Sequence, residues 1–165
     1  MLFTIEKLPS SSWQNYKEIR LAALKTDPLA FCETYEEALI KTETDWQKHI
    51  TSMWFALAGE QVVGMVGLLQ EESSCGKHRG FMISFWVKPE FRGHGIGKAL
   101  IQHLQQYAPT IGISKIYFHV TTTQTNAIRL YKSLGFEIVG ICKNNTFVQN
   151  KFYDQYQMEW LITKN

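Results

Sequence analysis

Val87-Lys88-Pro89-Glu90-Phe91-Arg92-Gly93-His94-Gly95-Ile96-Gly97-Lys98-Ala99-Leu100 is the stretch on which the reading of this chain turns. The apolar run Phe81–Lys88 before the glycines reads as a strand, stopped by Pro89, which cannot donate to a sheet ladder. After them, Gly95–Ala108 reads as a helix, with Ile96, Leu100, Leu104 and Tyr107 spaced along one buried face. Between the two, Gly93, Gly95 and Gly97 alternate with His94 and Ile96. Alternate glycines let a backbone approach a ligand with no Cβ in the way. A helix start adds unpaired N–H groups and the positive end of a dipole. Together these describe an anion site, most naturally for a pyrophosphate, with Arg92 and Lys98 to supply charge. On the glycines alone, a turn without a ligand fits as well.

Two nucleotide fingerprints fail on their letters. A dinucleotide G-x-G-x-x-G needs glycine at 98, where the chain has lysine. A phosphate loop ending at Gly97-Lys98 needs glycine at 92 and Ser or Thr at 99, where the chain has Arg92 and Ala99.

Working outward, Leu2–Lys7 alternates as a short strand, and Ser12–Lys25 is a helix with Ile19, Ala22 and Ala23 on one side. Asp27-Pro28 ends that helix, since the residue before proline leaves the helical region. A second helix is expected over Thr34–Ile50. Met53–Ala58 and Val62–Gln70 flank the turn Gly59-Glu60, and polar Glu71–Gly80 is a loop. Lys115–Thr121 alternates Ile116, Phe118 and Val120 with Tyr117, His119 and Thr121. Asn126–Leu134 is a helix whose closing turn suits Gly135, with Phe136 packing back on it. Strands follow over Phe136–Lys143 and Lys151–Leu161, the latter with Phe152, Tyr156, Met158 and Trp160 on one side. Strand, helix, strand, helix between 81 and 143 implies parallel neighbours there, and the flanking hairpins imply antiparallel ones elsewhere. The expected fold is α/β: a mixed, mostly antiparallel central sheet with helices on both faces.

At 165 residues the chain fits one domain, 1–165. A formal net charge of +2 gives no ground for nucleic acid as a partner. No run approaches the ~20 apolar residues of a membrane span, and the N-terminus lacks the pattern of a signal peptide. Cys32, Cys75 and Cys142 form no C-x-x-C pair, which fits free thiols in a reducing, cytoplasmic setting. His49, His78 and His103 show no metal-ligand spacing, so no metal is expected.

Val87–Leu100 closely resembles the acetyl-CoA motif of the GNAT superfamily of N-acetyltransferases, a strand ending in V-x-P followed by Arg/Gln-x-x-Gly-x-Gly/Ala opening a helix. Arg92, Gly95 and Gly97 match it. Asn126-Ala127-Ile128-Arg129-Leu130-Tyr131-Lys132-Ser133-Leu134-Gly135-Phe136 resembles a second motif of that family, and Tyr153–Met158 its last strand. The resemblance implies a parallel strand pair splayed at the cofactor site. It implies that Phe85, Trp86 and Val87 pair with the pantetheine amides, and that Arg92, Gly93, His94, Gly95, Ile96, Gly97 and Lys98 take the pyrophosphate. Asn126 would contact the cofactor, although Asn is also a common helix N-cap.

The implied reaction is direct transfer of the acetyl group of acetyl-CoA to a primary amine. Tyr131 matches the family's frequent general acid, set against its place on the apolar stripe Ala127/Leu130/Leu134. The general base stays unassigned, because Phe81–Trp86 carries no carboxylate. Glu33 and Glu36 lie in the segment that usually lines the acceptor site, with solvated surface glutamates as the plainer reading. Together with Glu37, Glu43 and Asp45 they make that side acidic, which would suit a polyamine among small-molecule amines; a peptide amine is the other acceptor class. His119 is a candidate relay or a structural histidine. Homodimers are common in the family, and the aromatic last strand offers an edge. The alternative function is a non-catalytic acyl-CoA-binding or sensing module.

Overall fold

Gln61–Gln70 is apolar over nearly its whole length, the signature of a strand covered on both faces. In the computed structural model it is the third of seven strands among the described residues, 1–162; residues 163–165 of the expected 1–165 domain lie outside them. The elements are β1 (Thr4–Glu6), α1 (Trp13–Thr26), α2 (Tyr35–Leu39), α3 (Glu43–Ile50), β2 (Met53–Ala58), β3 (Gln61–Gln70), β4 (Arg79–Val87), α4 (Ile96–Tyr107), β5 (Lys115–Thr121), α5 (Thr125–Ser133), β6 (Glu137–Val148) and β7 (Lys151–Leu161). The sheet order is β1-β2-β3-β4-β5-β7-β6. β4 and β5 are parallel, while β1/β2, β2/β3, β5/β7 and β6/β7 are antiparallel, so the mixed, mostly antiparallel sheet is as expected. The parallel pairing runs only from Arg79↔Lys115 to Phe81↔Tyr117. Both strands continue past it, β4 to Val87 and β5 to Thr121.

The chain forms two compact units. The first comprises Met1–Gly67 and Ser84–His103. Successive residues of β2 there face opposite ways: Phe55 meets Tyr16 of α1 at 5.6 Å between ring centroids, and Trp54 meets His103 of α4 at 4.3 Å. Helices therefore cover both faces of this part of the sheet. The period of two along a strand dictates that arrangement. Tyr16 also stands edge-on to Trp46 of α3 at 5.3 Å. Gly64 of β3 lies so close under α4 that a Cβ would sit 3.1 Å from Leu100 and 3.3 Å from Ile96.

The second unit comprises Leu68–Ile83 and the chain from Leu104 onward. Ile116, Phe118 and Val120 of β5 point inward, as their alternation predicts. Phe118 packs on Tyr131 of α5 at 4.4 Å and on Phe136 at 5.2 Å. α5 ends as its sequence foretells. Gly135 takes φ 83°, its amide donates to Lys132 O, and the Phe136 amide donates to Tyr131 O at 3.1 Å.

Three expectations need correction. The helix expected over Thr34–Ile50 is two helices, because Thr42 and Asp45 form a capping box that restarts the turn after α2. Thr34 and Glu37 form another at the start of α2. Polar Glu71–Gly80 is a loop only to His78, since Arg79 and Gly80 pair with Lys115 and Ile116. β6 runs to Val148, not Lys143. A bulge absorbs Asn144 at φ 50°, and its amide donates to Asp154 Oδ1 at 2.9 Å. A two-residue turn then closes the hairpin, with Gln149 and Asn150 at φ 51° and 60°.

Candidate active site

The glycine loop is built by its own backbone. After β4, Pro89–Phe91 forms a 3₁₀ turn, and Gly93 and Gly95 adopt φ 79° and 82°. No atom lies within 4 Å of where a Cβ would stand on either glycine. Backbone conformation, not crowding by the protein, therefore requires glycine, and the space beside the loop is open. The first helical bond of α4 runs from the Ala99 amide to Gly95 O at 3.0 Å. The amides of Ile96, Gly97 and Lys98 precede it and have no acceptor within the helix. His94 fastens the loop as well as belonging to it: its Nδ1 lies 3.0 Å from Arg92 O. Lys98 is exposed.

Arg92 is turned back toward β4. Its Nε donates to Val87 O at 2.9 Å and its Nη2 to Asp27 Oδ2 at 2.6 Å. The buried Trp86 also donates its Nε1 to Asp27 Oδ2, at 2.6 Å. Asp27 thus joins the end of β4 to the loop. In the sequence Asp27 is only the residue before a helix-ending proline, and a paired role leaves no local signal.

Glu33 is not a free carboxylate. Arg20 donates to its Oε2 through Nε at 3.1 Å and Nη2 at 3.0 Å, and Lys41 pairs with its Oε1. Burial opposes its ionisation, but the Lys41 and Arg20 hydrogen bonds and charges outweigh that and hold the carboxyl below the usual range. Arg20 uses Nη1 to donate to Ser84 Oγ at 3.0 Å. Ser84 has φ 56° within a strand, a conformation that costs a non-glycine residue roughly 1–2 kcal/mol. Burial pushes the hydroxyl of Tyr16, which packs in the same region, up from its ordinary value. Neither Arg20 nor Ser84 was singled out from the sequence. The one available signal was a polar residue interrupting the apolar run Phe81–Val87.

The remaining acidic residues of that segment are divided. Glu37 and Asp45 are used by the capping boxes, Glu43 accepts from Gln47 at 2.8 Å, and Glu36 is exposed in the first turn of α2.

In the second unit, Tyr131 is 5% exposed. Burial alone pushes its hydroxyl far up, so it holds its proton throughout the neutral range. Asn126 is the second residue of α5, with Gln124 in the capping position, so the N-cap reading of Asn126 does not hold. At 100° per residue it points about 140° away from Tyr131 around the helix, and it is exposed. A further group appears where the parallel pairing ends: Tyr117 donates to Glu71, and that bond holds the phenol up. Phe81 lies beside both Tyr117 and His119, at 5.2 and 6.2 Å between ring centroids.

The model of the acetyltransferase (GNAT) family matches residues 13–136. The chain belongs to this family. Among its relatives, N-acetyltransferase 8B of Homo sapiens is 29% identical over 147 residues, covering 85% of this chain and 59% of that protein. N-acetyltransferase 8F1 of Rattus norvegicus is 30% identical over 128 residues, covering 77% and 53%. A spermidine N(1)-acetyltransferase of Vibrio cholerae is 29% identical over 108 residues, covering 65% and 61%. The chain spans about half the length of the curated relatives it matches. The GNAT fold itself is matched by an acetyltransferase from Streptococcus pneumoniae, with TM-score 0.87 at 18% identity over 98% of this chain and 100% of that one. A GNAT phosphinothricin acetyltransferase from Sinorhizobium meliloti, solved with acetyl-CoA, matches with TM-score 0.83 at 20% identity over 98% and 89%.

Proposed function

We propose that this GNAT domain binds acetyl-CoA and catalyses transfer of its acetyl group to a primary amine. The observation that carries the cofactor reading is the loop. Gly93 and Gly95 are left-handed, open on the side a Cβ would occupy, and lead straight into a helix start, whose first amides have no acceptor within the helix. That arrangement fits a pyrophosphate. The amides of Gly93, His94, Gly95, Ile96, Gly97 and Lys98 would hold it, and Arg92 has Nη1 left to add charge. The backbone of Phe85–Val87 would meet the pantetheine amides, and Asn126 would touch the cofactor. Acetyl-CoA supplies an activated thioester; the chain's residues bind it, orient it and manage protons.

Tyr131 is the proposed acid. A buried phenol with a raised proton affinity suits a thiolate only where the thiolate is desolvated too, since ordinary thiols sit near ~8.5 and phenols near ~10. The shared loss of water would raise both and keep them matched. The tight packing of Tyr131 on Phe118 and Phe136 equally supports the second reading, an acyl-CoA-binding module in which the tyrosine is core.

The acceptor is a small-molecule or peptide amine. The relative named for spermidine supports a polyamine. Against it, Glu33, Glu37 and Asp45 have partners inside the fold, which leaves Glu36 and Glu43 to face a polycation. The free thiols Cys32, Cys75 and Cys142 support a reducing, cytoplasmic setting. Exposed Ile138, Val139, Ile141 and Phe147 on edge strand β6 support a homodimer.

The test is release of free thiol from acetyl-CoA with a panel of polyamines, amino acids and peptides, run beside CoA calorimetry. Turnover on at least one amine is expected, with Tyr131→Phe lowering kcat by tenfold or more and leaving CoA affinity within about twofold. CoA binding with no turnover on any amine would move the assignment to the binding module.

A further inference from the structure

Ser84 is the one residue of β4 with left-handed backbone, and it directly precedes Phe85–Val87. Glycine would take φ 56° unaided. The chain instead has a serine whose hydroxyl is held by Arg20 at 3.0 Å. Arg20 is buried and has little freedom. Its Nε and Nη2 are fixed on Glu33, and its guanidinium lies 4.4 Å from the Phe31 ring. Glu33 is held from its other oxygen by Lys41, which in turn lies 5.4 Å from the Trp46 ring. A chain of contacts therefore runs from the segment 31–41 through α1 to one hydroxyl on β4. A buried ion pair is a poor way to gain stability, because apolar side chains of equal volume often do as well or better. What it does well is fix one geometry, and here the free arm of the fork ends on the kinked residue.

We propose that the Arg20–Glu33 pair is a positioning clamp on Ser84 that sets the course of Phe85–Val87 for the cofactor's amide chain. The proposal rests on the acetyl-CoA reading above. It makes Arg20, Glu33 and Ser84 positioning residues and gives Glu33 a role other than acceptor binding.

The experiment is CoA calorimetry on the whole chain, with unfolding midpoints in parallel, for Arg20→Gln, Ser84→Ala, Ser84→Gly and Arg20→Gln combined with Ser84→Gly. Alanine removes the hydroxyl and still resists φ 56°; glycine removes it and adopts that angle freely. Arg20→Gln is expected to weaken CoA binding at least tenfold with serine at 84 and less than threefold in the Ser84→Gly background. Ser84→Ala is expected to weaken it several-fold more than Ser84→Gly. Should Arg20→Gln not fold, the alanine–glycine contrast decides alone. Equal effects of Ser84→Ala and Ser84→Gly, or a loss of stability in Arg20→Gln with CoA affinity unchanged, overturn the clamp. If the unaltered protein binds no CoA, the cofactor reading falls and the proposal with it.

Discussion

Two arginines grip the last four residues of β4 from opposite ends, and they do so in different surroundings. Arg20 reaches Ser84 and pairs with Glu33, with side chains 10% and 18% exposed. Arg92 reaches Val87 and pairs with Asp27, with side chains 47% and 33% exposed. The pair types are the same, but the dielectric is not. Water screens the second pair, whereas the first has given up most of its hydration and depends more on its partners. Both fix backbone. The buried pair fixes a conformation the chain resists, and the exposed pair ties down a loop start that glycines already shape.

The largest expected effect follows from that difference. Arg20→Met leaves Glu33 with only Lys41 and leaves the Ser84 hydroxyl without its donor. Breaking a buried pair by removing one partner costs about 3–5 kcal/mol. The remaining Lys41 bond should place this case near the lower end. Arg92→Ala should cost under ~1 kcal/mol. Urea midpoints of the two variants measure the contrast, and comparable losses would show that burial does not separate the pairs.

The exposed half of the comparison was the legible half. Three alternate glycines and a proline announce a loop at a helix start in local letters, and the positive φ at Gly93 and Gly95 answers to them. The Asn126–Leu134 helix was legible for the same reason, since its apolar stripe and the glycine that closes it are neighbours in the chain. The buried half was not legible. Arg20 and Glu33 stand 13 residues apart and Arg20 and Ser84 stand 64 apart, so only the tertiary fold brings them together. Glu33 was visible as a carboxylate, but whether it faces an acceptor or a guanidinium depends on partners that no local pattern names. The break at Thr42 was different, because the T-x-x-D spacing of Thr42 and Asp45 is local and marks a helix start inside the expected Thr34–Ile50 helix. In β6, Asn144 and Asn145 lie past the expected end at Lys143, and the bond from the Asn144 amide to Asp154 across the hairpin keeps the strand going.

A middle-sized effect tests the buried pair by its charge. The Glu33 carboxyl is held below its unfolded value, near ~4.3, so its ionised form favours the folded state. That contribution is complete above about pH 4.3 and disappears as pH falls through the lower, folded value. Glu33→Gln should therefore be less stable than the unaltered protein at pH 7, and the gap should close as pH drops below about 4.3. Comparing the two proteins at each pH cancels the other carboxylates, Asp45 and Asp154 among them, which are also held down. A gap that stays constant from pH 7 to 3 would mean that Glu33 acts by shape and not by charge.

The smallest effect concerns the exposed pair and is measured as a coupling. Asp27→Asn keeps an oxygen for Trp86 Nε1 while removing the charge that Arg92 meets, so a cycle with Arg92→Ala isolates the ionic part. The coupling should lie under ~1 kcal/mol in low salt. It should shrink further at 1 M, where the screening length falls to about 3 Å. The matching cycle on Arg20 and Glu33 should change little with salt, because ions cannot enter between buried partners. Equal salt slopes in the two cycles would erase the contrast. A flat slope for Arg92–Asp27 alone would show that the hydrogen bond to Val87 O, and not the carboxylate, holds Arg92 in place.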